Sequence, residues 1–161
     1  MNTPTNGGPA AQTEPQMNCL VQYIKDFSFE NPNAPQSFAS LQTQPSINIQ
    51  INVNAQAMGD TDFEVTLNLE GKADAAGTVL YGFELSYAGV FRLVNIPQEM
   101  MQQIVMVDCP HLLFPFAREI IASAVNNSAF PPLLLGPVNF FGLYQQRMNE
   151  LGSEQATGQP N

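Results

Sequence analysis

The chain has 161 residues and a mass of 17.6 kDa, which suits one domain. Charged residues make up only 12 %, and 14 acids against 5 Lys and Arg leave a net charge of −9 and a pI near 4.2. That balance argues against nucleic acid and anionic membrane surfaces, which call for clustered cations, and it suits a basic partner.

Residues 1–16 hold Pro4, Pro9 and Pro15 among glycines and small polar residues, and read as a disordered tail. They carry neither the basic n-region nor the apolar h-region of a secretory signal. The apolar runs, such as Leu133 to Leu135, fall far short of the roughly 20 residues of a membrane span, so no membrane insertion is expected. Two cysteines, Cys19 and Cys109, make no disulfide framework, and a cytoplasmic chain with reduced thiols is the simplest expectation. The folded domain is expected over 17–151, followed by a second disordered tail over 152–161.

Four segments alternate with period 2. The first sets Val21, Tyr23, Phe27 and Phe29 against Gln22, Asp26, Ser28 and Glu30. After a Pro-rich loop over 31–45, Ile47, Ile49, Ile51, Val53 and Ala55 alternate with Asn48, Gln50, Asn52 and Asn54. A break at Met58-Gly59-Asp60 precedes Phe63, Val65, Leu67 and Leu69, which alternate with Asp62, Glu64, Thr66 and Asn68. Residues Gly71 to Gly77 read as a turn or hairpin end. Val79, Tyr81, Phe83, Leu85 and Tyr87 then alternate with Gly82, Glu84 and Ser86. Four strands with short turns predict an antiparallel sheet with odd positions dry and even positions wet. The wet side collects Asp26, Glu30, Asp62, Glu64, Glu70 and Glu84, with only Lys25 and Lys72 for counter-ions. A solvated face that keeps the protein in solution is the plain reading of these acids.

From Pro97 the period becomes helical, with Met100, Met101, Ile104 and Val105 in step. Pro110 and Pro115 are expected to break and restart the chain. A helix from Phe116 puts Ala117, Ile120, Ile121, Ala124 and Val125 on one face and stops at Asn126-Asn127-Ser128. A last helix from about Val138 to Leu151 aligns Phe140, Tyr144, Met148 and Leu151. Phe140 and Phe141 point about 100° apart, so one buried face cannot hold both. Strands followed by helices predict an α+β fold, with the helices on the dry side of the sheet.

Catalytic signals are absent. The one histidine, His111, has no nucleophile context, and no Gly-x-Ser-x-Gly elbow occurs. No phosphate-binding glycine motif and no spaced metal ligands occur either. The chain is read as no enzyme, with no cofactor and no metal. What remains is apolar surplus at Phe38 to Leu41 and in the last helix, pointing to oligomer burial and a groove for apolar segments of another protein.

Two blocks carry a resemblance. Lys25-Asp-Phe-Ser-Phe-Glu-Asn-Pro-Asn-Ala-Pro35, with Phe38 just after, is one. Cys109-Pro-His-Leu-Leu-Phe-Pro-Phe-Ala-Arg-Glu119, then Phe130-Pro131 and Pro137-Val-Asn-Phe140, is the other. Over about 17–151 the chain resembles the SecB family of protein-export chaperones. The resemblance implies a four-stranded antiparallel sheet with a long and a short helix packed on one face. It also implies a homotetramer, a dimer of dimers with the long helices between outward-facing sheets. By the same resemblance the chain is an ATP-independent chaperone. It binds unfolded precursor proteins in apolar grooves and delivers them to the export motor SecA, whose basic C-terminal tail the acidic face would meet. The SecA contacts fall on Asp26, Glu30 and Glu84, and the client groove on Phe38, Leu41, Phe140, Leu143 and Tyr144. Better-known members have a Trp in the loop near Leu41 and an apolar residue at Gly82, and this chain has neither. Three alternatives stay open: a SecB-like chaperone dedicated to one client such as an antitoxin, a scaffolding oligomer with its apolar surface internal, and an enzyme using His111, Asp60 or Asp62.

Overall fold

The computed structural model describes residues 14–157. The predicted N-terminal tail up to residue 13, and residues 158–161 of the predicted C-terminal tail, lie outside them. Four strands, β1 (Gln16–Glu30), β2 (Ser46–Ala57), β3 (Asp62–Ala75) and β4 (Thr78–Val94), form one antiparallel sheet in the order β1-β4-β3-β2. A short 3-10 turn, Gln36–Ser40, sits in the loop after β1. Helices α1 (Gln98–Gln103), α2 (Cys109–Asn127) and α3 (Phe140–Thr157) follow. The predicted class is the observed one: a four-stranded antiparallel sheet with a long helix and a shorter one.

The period-2 residues of β2, β3 and β4 dictate which face is dry. Val65, Leu67, Leu69, Phe83, Leu85 and Phe91 are all buried toward the helices. Against them α2 lays a single row, Cys109, Leu113, Ala117, Ile121 and Val125, spaced four apart and each 0 % exposed. Gly89 makes the closest approach possible, because a Cβ there would meet Leu113 Cδ2 at 3.0 Å. Gly71 lies under the Phe83 ring, and its missing Cβ would meet Phe83 Cζ at 2.2 Å. Glycine in a strand interior is thus a packing device here rather than a turn.

Several local expectations are overturned. Residues 71–75 are strand, and the turn is only Ala76-Gly77, with φ of 50° and 78° between paired Ala75 and Thr78. Two residues at positive φ are the type I′ geometry that matches strand twist. β4 runs on to Val94, so Arg92 joins the sheet, where only Lys25 and Lys72 were expected as cations. β1 carries two irregularities, between Cys19 and Val21 and between Ile24 and Asp26. Each bulge inserts one residue and flips the alternation. Val21 and Tyr23 therefore face the wet side, paired with Val90 and Ala88, while Gln22 and Ile24 face the helices, paired with Gly89 and Tyr87. From Asp26 onward the expected parity returns.

Pro110 and Pro115 do not break the chain. A π-helical turn, Ile104–Asp108, joins α1 to α2 without interruption, so 98–127 is one helical rod. The wider turn, with Cys109 N–H bonded to Ile104 C=O, resets the hydrogen-bond register just where Pro110 supplies no donor. The rod ends where Asn126-Asn127-Ser128 predicted. Phe130 N–H donates to Val125 C=O and Ala129 N–H to Asn126 C=O, a Schellman closure with Ala129 at φ 65°. α3 starts at Phe140, with Asn139 Oδ1 accepting from Gly142 N–H at 3.0 Å, and continues six residues past Leu151.

Candidate functional site

The wet face is built by cross-strand pairing. Asp26 lies opposite Ser86, Ser28 opposite Glu84, and Glu30 opposite Gly82. On the other side of β4, Glu84 faces Glu70 and Gly82 faces Lys72. The three predicted SecA contacts, Asp26, Glu30 and Glu84, thus share one face, as their common parity required once the β1 bulges were passed.

Arg92 and Lys25 are committed elsewhere on that face, while Lys72, opposite Gly82, stands beside the acids and leans toward Asp74. Arg92 holds Asp62 with two bonds, Nε to Oδ1 at 2.8 Å and Nη2 to Oδ2 at 2.7 Å. Lys25 and the Tyr23 hydroxyl both donate to Glu64, and Lys72 approaches Asp74 at 3.8 Å. The Arg92 bonds hold the Asp62 carboxyl below its ordinary value. The Lys25 bond first, and Tyr23 second, do the same for Glu64. Among the described residues, Asp26, Glu30, Glu70 and Glu84 have no cation partner within an ion-pair distance. Glu70 and Glu84 stand directly opposite with like charge, an arrangement that costs stability. Sequence reasoning placed Glu70 on the wet face but not in the contact set. Its signal was the register, which only the pairing of β3 with β4 supplies.

Shallow depressions flank the Glu84–Glu70 row. One of about 280 Å³ is bounded by Glu30, Glu70, Lys72, Gly82 and Glu84. The other, of about 380 Å³, is bounded by Asp26, Asn68, Glu70 and Glu84. A Cβ at Gly82 would meet nothing closer than Gly71 O at 3.6 Å, so the missing side chain leaves real room.

The opposite side of the sheet carries the apolar clefts. One of about 530 Å³ runs between the end of β2, the α1 region and α3, lined by Phe63, Met101, Val105, Tyr144, Met148 and Leu151. A second of about 360 Å³ continues past Ile51, Val53, Met106 and Leu143. Tyr144 and Arg147 border both. Of the predicted groove residues, the structure therefore brings Leu143 and Tyr144 to an open cleft. It does not bring the others there. Phe140 is 2 % exposed and packs edge-on against Phe114 at 6.0 Å and His111 at 6.3 Å, fastening α3 to α2. Phe38 packs at a tilt against Phe130, centroids 5.4 Å apart, and Phe130 does the same against Tyr81 at 5.1 Å. That cluster lies at the C-terminal end of α2, whereas Phe140 lies near its N-terminal end. The two are separated by roughly 16 Å of helix between Phe114 and Val125. Leu41 is exposed in the loop beyond Phe38. Sequence reasoning missed Phe63, Met101 and Met148 as cleft lining, because nothing local says which elements meet.

Nothing in the described residues marks a metal centre, since no group of three or more His, Cys, Asp or Glu could hold an ion. Cys109 is buried, and desolvation pushes its thiol up to about 12. No helix among the described residues is long and apolar enough to cross a membrane.

One sheet thus carries an acidic face on one side and apolar clefts on the other, two surfaces suited to binding, and the comparisons say in which family they occur. The family described as preprotein translocase subunit SecB matches residues 10–151. A protein-export protein SecB of Rhodopseudomonas palustris strain HaA2 is 58 % identical over 98 % of this chain and 99 % of its own length. Another from Xanthobacter autotrophicus is 56 % identical over 91 % of this chain and 94 % of its own. The chain belongs to the SecB family of protein-export chaperones. Among solved structures, a SecB-like chaperone of Mycobacterium tuberculosis, bound to a peptide of an antitoxin, superposes with a TM-score of 0.58 at 16 % identity. That match covers 78 % of this chain and 91 % of the other. At that identity the likeness speaks for the fold.

Proposed function

We propose that this chain holds unfolded precursor proteins in the cleft between α3 and β2, without ATP, and presents them to a basic partner, the SecA motor, through the acidic face. The carrying observation is that cleft and acids lie on opposite faces of one sheet, so client and motor can be held together. Client affinity comes from burying apolar segments against Phe63, Met101, Tyr144 and Met148, at roughly 25 cal/mol per Å² before the cost of ordering the client. Weak contacts repeated along one chain, and across subunits, give avidity without sequence preference. Motor contact draws on Asp26, Glu30 and Glu84, to which Glu70 is added, and the Gly82 depression can take an apolar group from the partner.

We also propose a cytoplasmic location, and a homotetramer, for which the surplus surface is the support. Beyond its buried row, α2 shows Leu112, Phe116 and Ile120, and Phe116, 47 % exposed, stacks by Tyr87 next to half-exposed Ile24. One position along β1 on that face, the Gln22 Oε1 is buried with no donor among the described residues. Sister subunits packed there would cover the apolar patch and supply the donor. The relatives' shared name, protein-export protein, supports general export over a single dedicated client.

The test is charge reversal at Asp26, Glu30 and Glu84 together. Motor affinity, measured by calorimetry, should fall by about tenfold or more, as interfacial charge pairs of 1.4 kcal/mol or above require. Capture of a reduced, unfolded protein and the light-scattering mass should stay unchanged. Loss of all three would make the acids structural. No capture by the unaltered protein would favour a scaffold.

A further inference from the structure

We propose that Arg147 is an edge guard: it closes the backbone edge of β2 in the empty cleft and is displaced when an extended client segment pairs with that edge. The inference rests on the client-binding reading above and concerns how the cleft is gated.

β2 is an outer strand, paired only with β3. Its ladder with β3 has no irregularity from Ser46 to Ala57. Met58 N–H donates to Asp62 C=O at 2.8 Å, continuing the register in which Ala57 faces Phe63. In an antiparallel ladder hydrogen-bonded and non-bonded pairs alternate. The bonded pairs are therefore the even ones, and Ile51, Val53 and Ala55 turn both N–H and C=O outward. The same odd residues point their side chains to the helix side, where they border the two clefts. Apolar side-chain room and backbone groups that the ladder with β3 leaves outward thus run side by side for about 20 Å from Ile51 to Ala57.

Such an edge is a template for any extended chain, and natural sheets protect it with charge. Arg147 does so here. It reaches from α3, and its Nη1 donates to the Val53 carbonyl at 2.8 Å, the middle of the outward-facing positions. It also borders both clefts, so its side chain divides what would otherwise be one groove. No acid is within ion-pair distance of it among the described residues, so its polar partner is the strand itself. A client N–H arriving at Val53 C=O must take the place of that guanidinium. The guard thereby excludes segments that cannot offer a backbone donor there, and it keeps two empty subunits from pairing edge to edge.

The experiment uses the full-length protein and an apolar peptide of about nine residues, long enough to run the edge. Two further versions carry N-methyl groups at alternate amides, in one register or the other. Bound peptide should slow amide exchange at Ile51, Val53 and Ala55 by about tenfold or more. One methylated register should lose binding and the other keep it. Arg147→Ala should bind the unmethylated peptide about fivefold more tightly, the size of one partly exposed charged hydrogen bond removed. Peptide binding with those three amides unprotected overturns the edge pairing and leaves the client reading standing. Equal or weaker binding by a folded Arg147→Ala overturns the guard. The exchange measurement on the unaltered protein decides the pairing even if that variant is unstable. No binding of any peptide or unfolded protein would sink the client reading, and the guard with it.

Discussion

The two faces of the sheet use the same strands and obey opposite rules. Toward the helices, Val65, Leu67, Leu85 and Phe91 are packed to near-zero exposure, and even the glycines are placed by what a Cβ would strike. Toward solvent, Arg92 and Lys25 are spent on Asp62 and Glu64 and Lys72 leans toward Asp74 at 3.8 Å, while Glu70 and Glu84 confront each other with no ion pair. The dry face is arranged for stability. The wet face forgoes stability that an opposite charge beside Glu84 would supply, and the proposed basic partner accounts for that sacrifice. Substitutions should therefore have opposite signs on the two sides.

The largest effect belongs to the dry face. Gly71→Val forces a side chain into the Phe83 ring and Ile49 Cδ1, which a Cβ alone would meet at 2.2 and 2.8 Å. Overpacking there should cost about 3 kcal/mol, read as a lower urea midpoint at unchanged slope. A near-neutral result would mean that the ring moves aside freely, and the contrast between faces would weaken.

On the wet face, Glu70→Lys should raise stability by about 0.5 kcal/mol, by turning a like-charge pair with Glu84 into an opposite one. The same change should weaken motor binding, with client capture unaltered. A variant less stable than the parent would remove the argument that the acids are kept for a partner.

The smallest effect is acid titration. Lys25 and Arg92 hold the carboxyls of Glu64 and Asp62 below their ordinary values of 4.5 and 3.8. A carboxyl depressed in the folded state stabilises it above the unfolded value and loses that contribution as pH falls through the folded value. Urea midpoints should be insensitive to these two groups from pH 7 to about 5 and decline below about 4.5. Glu64→Gln with Asp62→Asn should flatten that acid limb slightly, since both carboxyls are partly open to solvent and their cation partners about half exposed, so the pairs are screened. An unchanged limb would show that the pairs are ornaments of the surface.

What the sequence determined by itself was whatever is local. Period 2 in Ile47 to Ala55 and Phe63 to Leu69 specifies strands and their dry side, because a side chain's face follows from its parity. Asn126-Asn127-Ser128 ended the helix on the same grounds, and two short blocks were specific enough to carry the family. Tertiary structure alone decided the rest. Two bulges turned Tyr23 outward and Gln22 inward, since a bulge depends on the partner strand. A π-turn carried the helix through Pro110, and register set Glu70 against Glu84. Phe140 went into the core and Tyr144 to the cleft, although both lie on the stripe read from the last helix, because burial is settled by what packs opposite. Local periodicity states which groups prefer to leave water; only the assembled chain states what they meet when they do.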